Sequence, residues 1–250
     1  MQPFKIGILP TASDLIPRAK QLAQELNLTL TDNSTDWDYV LLVNPDSLAL
    51  QNLSAKTKPL IVDFNDKKIS YRLNKLSIKN EAVARACGLK RNQPVSIIDT
   101  TAGLGLDSFI LAALGFEITL LERSPIIYAL LADGLRRASA EPKLAAITNR
   151  MHLHHADAQI WLASHAKADI IYLDPMFPTR QKTALIKKEM AFCQDILVPA
   201  ADTENLFTTA LACALKRVVV KRPRLGLYLA QRTPSYSLTG SSSRFDIYLI

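Results

Sequence analysis

The sequence predicts an α/β protein built on a doubly wound, mostly parallel sheet, with a smaller α/β unit in front of it. Three observations carry this. From Pro94 onward, short apolar runs alternate with amphipathic stretches through short loops, the pattern of strand–helix–strand units. Apolar residues are 48% of 250, enough to pack one α/β domain with a small addition and to exclude global disorder. Acidic residues recur just after successive apolar runs, the edge at which open parallel sheets bind ligands.

The elements follow in order. Phe4 to Leu9 reads as a strand, and Asp14 to Leu26 as a helix with Leu15, Ile16, Ala19, Leu22 and Leu26 along one side. Tyr39 to Val43 and Leu60 to Phe64 read as further strands. Residues 1–66 are therefore expected to form a small α/β cap, and they contain no pattern that points to chemistry. Residues 67–92 are a basic connector, with Lys67, Lys68, Arg72, Lys75, Lys79, Arg85, Lys90 and Arg91. Asn80 to Cys87 reads as its helix, closed near Gly88.

Residues 93–250 form the main domain. Val95 to Asp99 is a strand, Asp107 to Leu114 a helix closed by Gly115, and Glu117 to Leu121 a strand. Pro125 to Ala138 is a helix, with proline suited to its first turn. Met151 to His155 is a strand, Ala156 to Ala163 a helix, and Asp169 to Leu173 a strand. Asn205 to Leu215 is a helix and Arg217 to Lys221 a strand. The last strands, near Tyr228 and at Phe245 to Ile250, have no clear helix between them and predict an antiparallel hairpin at one edge.

The net charge is +7 and the isoelectric point about 9.3. A polyanionic partner, nucleic acid first, fits this excess, and plain solubility charge is the alternative. The connector likewise admits two readings: a solvated linker helix, or part of an RNA or cofactor lip. Cys87, Cys193 and Cys213 are scattered, no CxxC pair occurs, and the histidines do not join them at metal-ligand spacing. Neither a disulfide framework nor a metal site is expected. No apolar run reaches membrane-spanning length, and the first residues lack a long apolar stretch, so a cytoplasmic protein without a membrane partner is expected. The oligomeric state is not specified.

The most informative stretch is Asp174-Pro175-Met176-Phe177-Pro178, after the apolar run Ile170 to Leu173. Asp174 can accept a hydrogen bond from an exocyclic amino group, and the Pro175 carbonyl a second. Phe177 offers a face for stacking a base. These residues resemble the (Asp/Asn)-Pro-Pro-(Tyr/Phe) tetrapeptide of amino-group methyltransferases acting on nucleic acid, with Met176 in the third place. A strand ending in a proline turn is the structural alternative.

The strand at 95–99 runs into Asp99-Thr-Thr-Ala-Gly103-Leu-Gly105-Leu106-Asp107. Glycines at a strand-to-helix turn let a ligand approach the backbone. A dinucleotide loop would have a third glycine where Ser108 stands, and Asp107 at the helix N-terminus would repel a pyrophosphate. The cationic S-adenosylmethionine suits an acidic loop better. Glu122, 19 residues after Gly103, stands where a carboxylate can take both ribose hydroxyls. Asp157 follows the third strand, where it can reach an adenine amino group or cap a helix. Asp99 with Asp107, Glu122, Asp157 and Asp174 thus mark the ends of four consecutive strands, which capping alone does not explain.

Asp99-x-Thr-Ala-Gly-Leu-Gly-x-Asp, Leu121-Glu-Arg-Ser-Pro, Asp133-Gly-Leu, Val219-Val-Lys-Arg-Pro, Arg244-Phe-Asp-Ile-Tyr and the run from Tyr172 to Met190 resemble the RsmJ family, the bacterial ribosomal RNA small-subunit methyltransferases J. The resemblance extends from about Ile61 to the C-terminus. It implies a class I S-adenosylmethionine-dependent methyltransferase with a Rossmann-like sheet. It further implies methylation of the 2-amino group of one guanine near the 3′ end of 16S rRNA, with the small ribosomal subunit as partner. Cofactor contacts are implied at Leu106-Asp107, Glu122-Arg123, Asp157-Ala158 and Asp174. Leu106 departs from the arginine usual there, and Leu73 to Glu81 lacks the family's glycines.

On this reading Asp174 and the Pro175 carbonyl aim the amine, Phe177 stacks the base, and Asp174 collects the released proton. Arg180, Lys182, Lys187 and Lys188 follow the pocket, and Lys216, Arg217, Lys221, Arg222 and Arg224 cluster at the fifth strand's end. Both groups are expected to hold phosphates, with a solvated helix face as the alternative for Lys187 and Lys188. The competing functions are methylation of another RNA or of DNA adenine or cytosine, an NAD-dependent enzyme, and a non-catalytic RNA-binding protein.

Overall fold

The computed structural model describes residues 4–55, 57–175 and 203–250. Two sheets account for the strands among them. The smaller runs in the order β2-β1-β3-β4, from β1 (Ile6–Pro10), β2 (Thr29–Leu30), β3 (Tyr39–Val43) and β4 (Leu48–Asn52). β1 pairs in parallel with β2 and β3, and β4 returns antiparallel to β3. α1 (Ile16–Leu26) begins with Pro17 in its first turn and ends at Asn27 in the left-handed conformation.

The larger sheet is built from β5 (Ile97–Asp99), β6 (Ile118–Glu122), β7 (Met151–His155), β8 (Ala168–Leu173), β9 (Ala214–Pro223), β10 (Tyr236–Thr239) and β11 (Ser243–Leu249). Their order is β10-β11-β9-β8-β5-β6-β7. The strands from β5 to β9 are parallel, and β11 and β10 close one edge antiparallel, as the late strands predict. Side chains alternate between two cores. Ile97, Ile170, Tyr172 and Val219 face one, and Ile98, Ile171, Leu173 and Val220 the other. Both faces are covered, which is why the parallel strands read as unbroken apolar runs. Helices α4 (Leu106–Ala113), α5 (Pro125–Ser139) and α6 (Pro142–Thr148) supply the first core, and α7 (Ala158–Ser164) and α8 (Thr203–Cys213) the second.

Several expected boundaries differ. Leu60 to Phe64 is not a strand. Only Leu60 bridges Leu50, while Val62 and Phe64 alternate inward without a neighbouring strand. Phe64 stacks on Phe109 at 4.5 Å, and the Val62 carbonyl accepts from Arg137. The alternation is real, but it serves packing against α4 and α5. No strand lies at Tyr228, whose ring is covered by the Arg244 guanidinium at 4.8 Å; Tyr236–Thr239 is the hairpin partner instead. The connector holds two helices, α2 (Lys67–Asn74), capped by the Asp66 side chain, and the short α3 (Ala82–Ala86). β2, β4 and α6 were not anticipated from periodicity.

The smaller sheet shares its core with one face of the larger one. Asp133, mid-helix in α5, is the polar joint. Its 3% exposed side chain accepts from the Leu48 N–H at 3.0 Å, from Arg18 at 3.2 Å, Arg136 at 2.8 Å and Arg137 at 2.9 Å. Gly134 beside it has no room for a side chain, since a Cβ would stand 2.8 Å from the Val62 carbonyl oxygen. Burial would raise the Asp133 carboxyl, but the bonds from Arg136, the Leu48 N–H and Arg137 together hold it below the usual carboxylate range. Among the described residues, no helix is long and apolar enough to cross a membrane.

Asp133→Ala leaves the buried Leu48 N–H without its acceptor, removes one acceptor from each of three guanidinium groups, and is expected to cost about 3 kcal/mol in urea unfolding. Because the folded carboxyl is depressed, its contribution is present above the unfolded value of about 4 and is lost as pH falls through the folded one. The wild-type advantage over Asp133→Ala should therefore shrink below about pH 4.

Candidate active site

The loop from Asp99 to Gly105 is stitched to the strands on both sides. Thr100 donates its N–H (3.0 Å) and hydroxyl (2.9 Å) to the Tyr172 carbonyl at the end of β8. The Thr101 hydroxyl accepts from the Asp174 N–H at 2.6 Å. On the other side, Ala102 N–H donates to the Leu121 carbonyl of β6 at 3.1 Å. Gly103 and Gly105 both have positive φ, and a Cβ on Gly105 would stand 2.7 Å from Leu131 Cδ1. Asp99 lies beneath this loop, 2% exposed, accepting from the Thr101 N–H at 3.1 Å and the Ser108 hydroxyl at 2.6 Å. It braces the turn from inside, through the Thr101 N–H of the loop and the Ser108 hydroxyl of α4. Burial, against those two hydrogen bonds and helped by Asp107 and Asp174, pushes its carboxyl up to about 7.

Glu122 ends β6. One carboxylate oxygen accepts from the Gly103 N–H at 2.9 Å and the other from the Ser124 N–H at 2.7 Å. Each keeps a lone pair for a ribose hydroxyl. Burial raises this carboxyl, opposed by the Ser124 and Gly103 N–H groups and by Arg123. Leu106 is 46% exposed on the first turn of α4, and Arg123 is exposed after β6. Asp157, after β7, caps α7. One of its oxygens accepts from the N–H groups of Gln159 (2.9 Å) and Ile160 (3.1 Å), and Ala158 follows it buried. Capping and adenine recognition are compatible, because the exposed carboxylate has a second oxygen.

Between the loop and the acceptor pocket lies an arrangement that sequence reasoning missed. The Lys221 ammonium sits between Asp107 (2.7 Å) and Asp174 (2.8 Å), and the Tyr172 hydroxyl donates to the same Asp107 oxygen at 2.7 Å. Lys221 was expected to hold phosphate, but these two carboxylates engage it. Asp174 keeps 34% side-chain exposure and so remains reachable. Burial and Asp107 raise its carboxyl against the opposing pull of Lys221. At Asp107, burial is outweighed by Lys221, Tyr172 and Arg72, which hold it low. The signal was present in the strand register: Leu173 pairs with Val220, so the next pair outward is Asp174 with Lys221.

Arg222 also departs from its expected phosphate role. It is 9% exposed and donates to the Leu227 carbonyl at 2.6 Å, bracing the loop after β9. Pro175 is buried beside Asp174. Phe177, Arg180, Lys182, Lys187 and Lys188 lie outside the described residues.

A sheet of this order, with a left-handed glycine turn after β5, the buried Glu122 carboxylate at the end of β6 and the Asp174 carboxylate after β8, is the Rossmann-like arrangement of an S-adenosylmethionine-dependent methyltransferase. A family model described as "Putative SAM-dependent methyltransferase" matches residues 21–250. A ribosomal RNA small subunit methyltransferase J from Thioalkalivibrio sulfidiphilus is 43% identical, covering 100% of this chain and 99% of the relative. One from Pseudoalteromonas atlantica is 42% identical over 95% of each. The crystal structure of a SAM-dependent methyltransferase from Neisseria gonorrhoeae superposes with a TM-score of 0.75 at 36% identity, covering 97% of this chain and 95% of that one. The chain belongs to the ribosomal RNA small subunit methyltransferase J family.

The cofactor of that class fits the residues present. The glycine turn puts no side chain of its own in a ligand's way, each Glu122 oxygen has a further lone pair to offer a diol, and the acids around the loop favour a cation. Glu122→Ala removes those acceptors and the partner of the Gly103 N–H. It is expected to weaken S-adenosylmethionine binding by about 2 kcal/mol or more in titration calorimetry. An unchanged isotherm would remove Glu122 from the cofactor site.

Proposed function

We propose that this chain transfers a methyl group from S-adenosylmethionine to the 2-amino group of a guanine near the 3′ end of 16S rRNA. The observation that carries the reading is the position of Asp174. It leaves β8 with its N–H tied to the cofactor loop at Thr101 and its carboxylate held by Lys221. The small-subunit RNA substrate is supported by the names of relatives that match this chain over nearly its whole length. Guanine N2 as acceptor is what the resemblance to the RsmJ family implies; the Asp174–Phe177 segment by itself implies only an amino-group acceptor.

The bound cofactor supplies an electrophilic methyl carbon on a sulfonium. The chain's residues supply the rest. The Asp174 carboxylate and the Pro175 carbonyl each accept a hydrogen bond from the exocyclic amine, which fixes its direction and draws its lone pair out of conjugation with the ring. Phe177 stacks the base. Methyl transfer would break the carbon–sulfur bond and release the cofactor as a neutral thioether, leaving the amine nitrogen cationic; its proton would pass to Asp174 or through it to water. Lys221 opposes the upward pull on the Asp174 carboxyl and so favours the ionised form that can accept. A guanine that is paired must first leave its stack, at a cost of a few kcal/mol.

The reading is tested by transfer of labelled methyl to small subunits and to naked 16S rRNA, followed by nucleoside digestion. Label is expected in N2-methylguanosine, and label in another nucleoside would move the acceptor atom. Asp174→Asn is expected to lower turnover by about a hundredfold, the modest end of proton-transfer contributions; full turnover would remove its role.

Lys221→Met is expected to shift the acidic limb of the kcat–pH profile upward. Lys221 is the cation that lowers the Asp174 carboxyl, so its loss leaves burial and Asp107 to raise it further, and protonation then sets in at higher pH. Lys221→Arg keeps the charge and should restore most of the limb. Superimposable profiles for wild type and Lys221→Met would exclude the assignment.

A further inference from the structure

We propose that the outer face of α2 is an RNA-docking surface, holding the phosphates and one unpaired base of the substrate beside the methylation site; this rests on the reading of the chain as an rRNA methyltransferase. Residues 67–79 contain five cations, Lys67, Lys68, Arg72, Lys75 and Lys79, and no acid. They carry most of an excess that totals +7 for the chain. A surface that serves solubility alone intersperses both signs, whereas a one-sign segment repels itself until a polyanion arrives.

The helix sorts these residues by face. Ile69 and Leu73 pack against the main core. Lys67, Tyr71 and Lys75 recur at four-residue intervals and so line a single outward stripe. All three are exposed, with Lys68 and Lys79 exposed beside them. Tyr71 is 61% exposed, an aromatic ring left in water with a lysine one turn away on each side. The Lys75 ammonium lies 4.4 Å from its ring centroid and donates to its hydroxyl. An exposed ring flanked by cations is the pairing that single-stranded nucleic acid recognition uses, the ring stacking a base and the cations taking phosphates.

The neighbouring face connects this stripe to the chemistry. Arg72 forks onto Glu81, with its shortest contact 2.6 Å, and its positive charge acts on Asp107 and Tyr172. Asp107 accepts from both Tyr172 and Lys221 in the active site, so the inner face of α2 lies within electrostatic reach of the residues that hold Asp174.

The test compares wild type, K67E/K68E/K75E, Tyr71→Ala and Tyr71→Phe by salt-dependent binding to 16S rRNA fragments and by methyl transfer to small subunits. The triple reversal is expected to weaken RNA binding by about tenfold or more and to flatten the log–log salt slope by about 0.7–0.9 for each phosphate no longer neutralised. Tyr71→Ala is expected to weaken it by about fivefold or more, while Tyr71→Phe keeps the ring and the affinity. S-adenosylmethionine affinity should be unchanged in all, and the RNA KM should rise while kcat at saturation holds. Wild-type affinity and slope in both the triple reversal and Tyr71→Ala overturn the docking face and leave the proposed reaction standing. Should the reversal melt early, K67Q/K68Q/K75Q decides by the same two readouts. A wild-type protein that binds rRNA but does not methylate it overturns the reaction, and the binding arm still decides the face.

Discussion

Three carboxylates, those of Asp99, Asp107 and Asp174, converge where β5 and β8 end, the first two largely shielded from water. Like charges so placed cannot all ionise without a counter-charge. The Lys221 ammonium, reaching across from β9 to two of them, is that counter-charge. It ties the first turn of α4 to the end of β8, and so joins the helix that follows the glycine loop to the strand that leads into Asp174 and Pro175. Among the described residues no cation pairs with Asp99, and burial pushes its carboxyl up to about 7.

The loop geometry follows from the same edge. Parallel strands end with unpaired backbone groups, and here Thr100 and Ala102 use the carbonyls of β8 and β6 as fixed points, while the Thr101 hydroxyl accepts from the Asp174 N–H. The glycines then need only make a turn whose ends are set, and Glu122 closes it by accepting from the Gly103 N–H. The carboxylate suited to a ribose thus also organises the backbone beneath it. The smaller sheet adds rigidity from behind. Phe64 stacks on Phe109 of α4, and Asp133 fastens β4 to α5, so the helices that frame the site are packed on both sides.

Much of this was legible in the chain. The parallel strands from β5 to β9, the glycine turn and the acids at the strand ends were placed by alternation and spacing, which are local properties. The Asp133-Gly-Leu stretch was visible as a motif, but its reason, a joint to Leu48 and Val62, lies about eighty residues upstream. Leu60 to Phe64 misled because alternating burial without a partner strand looks, in sequence, like a strand. Residues 67–74 were read as basic connector rather than helix, since their apolar stripe is short and sits among cations.

The sequence alone determined the fold class, the cofactor edge and the candidate pocket residues, because each rests on residue types a few positions apart. Tertiary structure decided which charges meet. Lys221 lies 47 residues from Asp174 and 114 from Asp107, and Arg222, its neighbour, turns instead to the Leu227 carbonyl. Nothing local distinguishes those two basic residues. In a strand successive side chains point to opposite faces, and the register with β8 selects which of them reaches the acids.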